Sequence, residues 1–538
     1  MSQPIDDTPA SDTPASDTPA GVLPADDTEA MSPALVSRIR VTLIVGMCAV
    51  FLAGLDQHIV NTAAPSITGE LGGIERYSWL VAGYMLTMSI STPVLAKLSD
   101  IYSRRLMMQL GIAVFVLGSL ACGLAQSMNQ LIAARALQGI GGGGLFPVAI
   151  AMLGDLVSPR QRGRYVARLM MAYTVGTVLG PTAGGWIVDQ FGWRWAFLIN
   201  LPVGATAIAM ATRAPGTSGT ATSRKFDTVG LGLLAGCTTT LLLALQWGGR
   251  DYAWGSPVIV VLLASSVVFL VALWRWEGRT PHAIIPPRLF DSTQFRSLML
   301  LSVCAGLLLS AGPLLLPMFL QYSAGLSATN SGVLMLPLSL GLMAGSWIGG
   351  RRIAATGHYR HLVLFGFGSV SLAVLFVTTM DIDVNTAFLT TAMVLLGTGG
   401  ALVGTVASTA SQGAVERSDL GVANGVNLFV RNIGAMLSAA ITGAMFDARL
   451  LSGLRNRVPA ASLEGLANPR ELIGQPDAVR ALDPPLSRAI IESIGDAVSW
   501  AFVWLLPVCA LGLLLGLLMK APPLRAQSHA ELPVDVPA

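Results

Sequence analysis

The chain is a succession of long apolar runs broken by short polar turns. Residues 297–350 contain no Asp, Glu, Lys or Arg, and neither do 106–134, 384–415 and 497–519. A helix needs ~20 apolar residues to cross the ~30 Å of a bilayer core. The first of these runs is therefore long enough for two crossings and a turn. Read this way, the pattern predicts fourteen spans, near 41–63, 78–97, 106–125, 129–153, 167–189, 195–212, 228–248, 256–274, 297–321, 331–350, 361–380, 386–412, 421–446 and 497–519. The predicted fold class is an all-α integral membrane protein.

Composition supports the same reading. The chain is 53% hydrophobic and 12% charged, against about 25% charged in a soluble domain. All five cysteines fall inside apolar runs, far apart, so no zinc or redox motif is expected. A formal charge of +3 points to no nucleic-acid partner. Residues 1–38 form a predicted cytoplasmic tail. They repeat Asp-Thr-Pro-Ala from Asp7, Asp12 and Asp17, and this acidic, Pro-rich composition cannot bury a core. They have neither the basic start nor the apolar centre of a secretory signal. The end, 521–538, is Pro-rich and is expected to be a second cytoplasmic tail.

The basic residues set the topology. With both termini inside, the inner tails and loops hold 22 of the 33 Lys and Arg residues, including Arg160, Arg162, Arg164 and Arg168 in one loop. The short outer loops hold only Arg76, Arg194 and Arg250. The outer segment 447–496 holds six, but long loops escape the positive-inside rule. Miscounting by one span would invert every later loop, so an even number is expected.

An internal repeat divides the chain. Gly163 and Gly176 are thirteen residues apart, as are Gly421 and Gly434, and Lys97–Arg105 has a counterpart at Arg351–Tyr359. The offset sets spans 1–6 against spans 9–14. The expected domains are an N-terminal six-helix bundle (39–213), a two-helix insert (214–280) and a C-terminal six-helix bundle (281–520) with its long outer loop 447–496.

Chemistry enters with two charges inside spans. Asp56 sits in an otherwise apolar first helix, where a carboxylate costs ~2.5–3.5 kcal/mol at the centre and marks a proton or ion site by default. Arg135 in span 4 needs a partner for the same reason. Each lies six or seven residues from the outer end of its span, roughly 10 Å deep at ~1.5 Å per residue, so the two are expected to meet. Losing such a pair raises a carboxylate's pKa, which makes it a candidate proton switch; the alternative is a purely structural pair. His58 reads as a packed neutral histidine or as a second protonatable group beside Asp56. Asn61 and Gln138 are candidate substrate contacts. Arg431 in span 13 either binds an anion or is held by carbonyls and Asn427 or Asn432.

The motifs resemble those of the fourteen-span drug:proton antiporters of the major facilitator superfamily. Leu55-Asp56, Ile59-Val60-Asn61 and Ala63-Ala64-Pro65 are similar to the family's first-helix motif, whose aspartate is tied to proton coupling; His58 stands where threonine is usual. The turn from Ala96 to Arg105, with Asp100, Arg104 and Arg105, is similar to its gating loop, although Ala96, Ile101 and Ser103 depart from the pattern of glycine, base and glycine. Arg135, Gln138, Gly139 and Gly141 match the span-4 motif. Gly176, Gly180, Pro181, Gly184 and Gly185 resemble the antiporter signature of exporters, with Pro181 expected to bend the helix. Trp193 to Pro202 resembles a further marker, to which no chemistry is assigned.

The resemblance implies the major facilitator fold, two six-helix bundles plus two inserted central helices. It implies a proton-driven exporter of lipophilic compounds, multi-pass in the plasma (inner) membrane and monomeric. Its expected partners are a lipophilic small molecule, protons and the bilayer. No phosphate-binding loop occurs, so an ion gradient is the expected energy source; no cofactor, metal or enzymatic activity is expected. Few carboxylates lie in the late spans, which disfavours dicationic substrates. The alternatives are a dedicated exporter of one metabolite or lipid, and a non-transporting receptor or scaffold on the same fold.

Overall fold

The computed structural model describes residues 33–71, 77–214, 227–249, 251–323, 334–379, 386–416, 419–458, 479, 482–519 and 521–524. Their regular structure is helical: α1 (Pro33–Leu71), α2 (Tyr77–Ile101), α3 (Arg104–Gly123), α4 (Met128–Gly154), α5 (Pro159–Phe191), α6 (Arg194–Leu198), α7 (Asn200–Ala211), α8 (Thr228–Trp247), α9 (Pro257–Glu277), α10 (Thr293–Ser323), α11 (Leu336–Thr356), α12 (Arg360–Thr378), α13 (Thr386–Gly413), α14 (Leu420–Arg457), α15 (Pro484–Val503) and α16 (Leu505–Leu518). The polar turns supply the caps. Ser127, Ser158, Asp227 and Ser256 each accept a hydrogen bond from the backbone N–H three residues on, with Pro159 and Pro257 at the first helical positions.

Eleven helices among the described residues are long and apolar enough to cross a membrane, where the apolar pattern predicts fourteen. The shortfall falls on α5, α10 and α11. In α10 the apolar stretch Thr293–Leu308 stops short because the side chains from position 309 are described only in part. α5 starts with a basic turn, and α11 spends much of its length on glycine and ends in Arg351 and Arg352. Small residues that let helices pack closely carry little hydropathy of their own.

Two sets of buried side chains result. One core runs from Leu289 to Leu524; two clusters lie between Leu43 and Ala214. The α8–α9 pair packs on itself and touches the rest through Leu234 and Leu273, beside Phe429 of α14. Its other face is apolar and open, with Val261, Val267 and Val268 at 60% exposure or more, as a lipid-facing surface requires.

One expectation about the chain's connections is corrected. The segment 447–496 is not a long loop throughout: α14 continues to Arg457 and α15 begins at Pro484. Phe446, Leu450 and Leu454 recur every fourth residue and bury one face against Ile490 and Ile494, while Arg457 pairs with Asp496 at 2.6 Å. The final tail also starts docked. Leu524 is buried, and its N–H donates to the Gly357 carbonyl at 3.1 Å.

The two cores meet at the end of the bundle that carries the Asp100–Arg104 turn, called here the basic end. Gly350 of α11 lies against Gly163 and Ala167 of α5, and Gly425 of α14 against Pro93 and Ala96 of α2. A Cβ on Gly425 would come 2.5 Å from that of Ala96. Alanine therefore serves at 96 because the partner helix has given up its own side chain. Ser103 has φ −64° and ψ 127°, so the turn needs no glycine there either.

Candidate functional site

Asp56 is fully buried on α1 and meets Arg135 of α4, as its depth implied: Arg135 Nη1 lies 2.5 Å from Asp56 Oδ2. Three helices complete a cage around the carboxylate. Gln138, one turn beyond Arg135, donates from Nε2 to Asp56 Oδ1 at 2.7 Å. Asn200 at the start of α7 donates from Nδ2 to the same oxygen at 3.1 Å. Ser119 of α3 accepts from both amides, at 2.7 and 3.1 Å. Arg135 Nη1 also donates to Gln138 Oε1 at 2.6 Å, and its guanidinium lies 4.2 Å from the centre of the Tyr84 ring on α2. Asp56, Gln138, Ser119 and Asn200 are each 0% exposed.

Buried polar groups need partners, and here three groups have none among the described residues: Arg135 Nε, the Tyr84 hydroxyl and Asn200 Oδ1. Unused capacity of this kind lets a network rearrange when its charge changes.

Glycines bring the helices close enough. A Cβ on Gly118 would come 2.6 Å from Gln138 Cα, and one on Gly139 2.5 Å from the Tyr84 carbonyl oxygen. Gly118→Ala is therefore expected to force α3 from α4, lowering stability by about 1–3 kcal/mol. Thermal unfolding of purified protein checks this, and an unchanged midpoint contradicts it.

Sequence reasoning missed Ser119, Tyr84 and Asn200. Asn200 is a polar residue in an apolar span, within a motif to which no chemistry was assigned; that assignment is corrected. Its neighbours clamp the far end of the bundle. Trp193 Nε1 and Arg194 Nη1 donate to Glu70 at 2.7 and 2.6 Å, and these donors, Arg194 first, hold the Glu70 carboxyl below its usual range. Gln138 is buried and belongs to the carboxylate's cage. The side chains of His58, Asn61 and Pro181 and the surroundings of Gly185 lie outside the described residues. The backbone of α5 continues as one helix through Pro181. Gly176 packs on α1, where a Cβ would lie 2.5 Å from the Phe51 carbonyl oxygen; Gly180 and Gly184 are buried.

The Asp100–Arg105 turn is assembled at the basic end. Asp100 accepts from the backbone N–H groups of Gly421 and Val422 at 3.1 and 2.8 Å, in the first turn of α14. Those N–H groups have no helical acceptor, and the helix dipole favours an anion there. Arg104 bridges Asp100 at 3.2 Å and Asp155 at 2.7 Å. Arg162 of α5 reaches Gly154 on its own side and the Gln412 carbonyl of α13 across the interface. Arg105 is not part of this set: it points to the Ala214 carbonyl at 3.5 Å. Two arginines on adjacent residues of a helix start point in different directions, so only one could join Asp100.

A buried ion pair thus lies within the helical bundle, and a carboxylate of one core caps the start of a helix of the other. The family model of the Major Facilitator Superfamily matches residues 46–439, and the chain belongs to that superfamily. Its relatives are of the multidrug efflux type. It is 33% identical over 504 residues to the multidrug transporter protein MdtP of Bacillus subtilis, covering 89% of this chain and 93% of that one. It is 30% identical over 514 residues to multidrug resistance protein 3 of the same organism, covering 94% and 99%. In fold it is similar to the human organic anion transporter MFSD10, with a TM-score of 0.58 at 14% identity, covering 89% of this chain and all of that one. The proton:xylose symporter XylE is also similar, at a TM-score of 0.57 and 13% identity, covering 87% and 96%.

Proposed function

We propose that this protein is a proton-driven exporter of lipophilic compounds that works by alternating access in the plasma membrane. In this reading fourteen helices cross the bilayer, both termini are cytoplasmic, and a monomer is the working unit. The two six-helix bundles, 39–213 and 281–520, rock about a site near the midplane, and spans 7 and 8 form an insert beside them. The basic end is the cytoplasmic one. Its latch, Asp100 on the first turn of α14, is fastened, so the described state faces outward.

The observation that carries the reading is the Asp56 cage. A carboxylate with one charged partner, sealed from solvent, changes the charge of the site when it takes up a proton. A protonated Asp56 no longer holds Arg135 by charge, and Arg135 keeps Gln138 Oε1 and the Tyr84 ring. The new O–H requires an acceptor, which Asn200 Oδ1 supplies when its amide turns over. Names of related proteins as multidrug transporters and efflux pumps support export as the direction. One charge crossing the membrane is worth ~2.3 kcal/mol per 100 mV, enough to drive accumulation.

The test is transport by purified protein in liposomes with an imposed pH gradient, run against a panel of lipophilic compounds. Uptake that collapses when a protonophore dissipates the gradient is expected. Equal uptake with and without the gradient overturns the proposal.

A further inference from the structure

The charges near the midplane do not balance. Asp56 and Arg135 neutralise each other, but Arg431 on α14 has no carboxylate within ion-pairing reach among the described residues. It lies eleven residues into α14, about 16 Å at ~1.5 Å per residue. That is near the middle of a ~30 Å core, too deep for the side chain to reach either interface. Asn427 does not hold it either; that amide donates to Ser302 and to the Ala407 carbonyl.

What Arg431 does face is an aromatic wall belonging to the other core. Its guanidinium carbon lies 5.9 Å from the centre of the Phe146 ring. Phe146 meets Tyr173 edge-on at 6.1 Å. The Tyr173 hydroxyl donates to Gln57 Oε1 at 2.6 Å, and Gln57 Nε2 approaches Met88 Sδ at 3.7 Å. All five side chains are half-buried. From Gly141 to Gly154, Phe146 is the one residue of α4 that is not buried. Phe146 is accessible where the helix around it is enclosed, and it faces Arg431 of the other core, so these half-buried side chains line a space between the two cores. Gly306 of α10 fixes the rear of the site, since its missing side chain lets the Arg431 backbone lie against α10.

We infer that this space binds lipophilic organic anions, with Arg431 gripping the acidic group and Phe146 and Tyr173 stacking on the apolar body. A guanidinium resting against a ring keeps its N–H edge free for a carboxylate or sulfonate. A single negative charge restores neutrality at the midplane. Gln57 is the residue after Asp56, so the floor of the site is continuous with the helix that carries the titrating carboxylate. The inference rests on the exporter reading above and names its substrate class.

The test is equilibrium binding to the purified full-length protein of two probes with the same ring system. One is 8-anilinonaphthalene-1-sulfonate, an anion; the other is N-phenyl-1-naphthylamine, neutral. The wild type should bind the sulfonate at least tenfold more tightly. Arg431→Gln should erase that preference while holding the neutral probe's affinity within twofold, which also shows that the variant is folded. Arg431→Lys should keep part of it. No preference in the wild type, or a preference that survives Arg431→Gln, overturns the inference. Binding needs no gradient, so it is independent of proton coupling. Gradient-driven transport without sulfonate preference would leave the exporter standing and the substrate class refuted; the reverse result would refute coupling alone.

Discussion

Asp56→Asn is expected to abolish concentrative transport. With one proton exchanged per cycle, 100 mV supplies ~2.3 kcal/mol, which sustains roughly a 50-fold gradient of a neutral cargo at about 1.4 kcal/mol per tenfold. Without a titrating group at 56, the ratio reached in liposomes should fall to one. The single substitution also strands the Arg135 charge in a fully buried site, and removing one partner of such a pair costs about 3–5 kcal/mol. Loss of transport alone would therefore not separate coupling from folding. The double variant Asp56→Asn, Arg135→Gln does so. It replaces the ion pair with two neutral amides able to hydrogen-bond each other, and a buried pair removed together is often neutral for stability. Its unfolding midpoint should return toward that of the wild type while concentrative transport stays absent. A double variant that concentrates cargo would remove Asp56 from the mechanism.

The second large effect is expected at the latch. Asp100→Asn removes the anion facing the first turn of α14 and one of the two carboxylates on Arg104. An anion at a partly buried helix N-terminus contributes up to about 2 kcal/mol. These contacts join the two cores, so their loss bears on the equilibrium between closed and open states as well as on folding. A loss of about 2 kcal/mol shifts that equilibrium by roughly 30-fold. Spin labels at the exposed positions Tyr102 and Thr356, one from each half at the basic end, should report a population of longer separation in the Asp100→Asn background. An unchanged distance distribution would show that the contact is incidental to opening. Arg105→Ala should have no such effect, because Arg105 faces Ala214 and not Asp100.

The limits of sequence reading show most clearly at single residues. Asp56 and Arg135 were legible because a charge in an apolar run has few explanations, and helix rise alone set them at one depth. Asn200 was not legible, although it stands in the same motif as Trp193 and Arg194. A lone amide in a span has many uses, and its role depends on α7 crossing α1 and α3. Arg105 was misplaced for a related reason: spacing along a helix says which face a residue occupies, not which neighbour that face meets. The absence of glycine at positions 96 and 103 put a tight turn in doubt from sequence. In the fold, Gly425 makes the room that a glycine in place of Ala96 would have made, and the backbone of Ser103 is ordinary.

By itself, the sequence determined that this chain lies in a membrane, how its helices succeed one another, and which two charges sit where charge is expensive. These follow from apolar length, charge depletion and period, all of them local properties. Only the tertiary structure decided which groups cage Asp56, that the basic end is closed by a carboxylate on a foreign helix start, and that Arg431 faces aromatic rings of the opposite core. Contacts between helices far apart in the chain leave no local pattern, because they depend on how glycine-lined faces settle against each other in three dimensions.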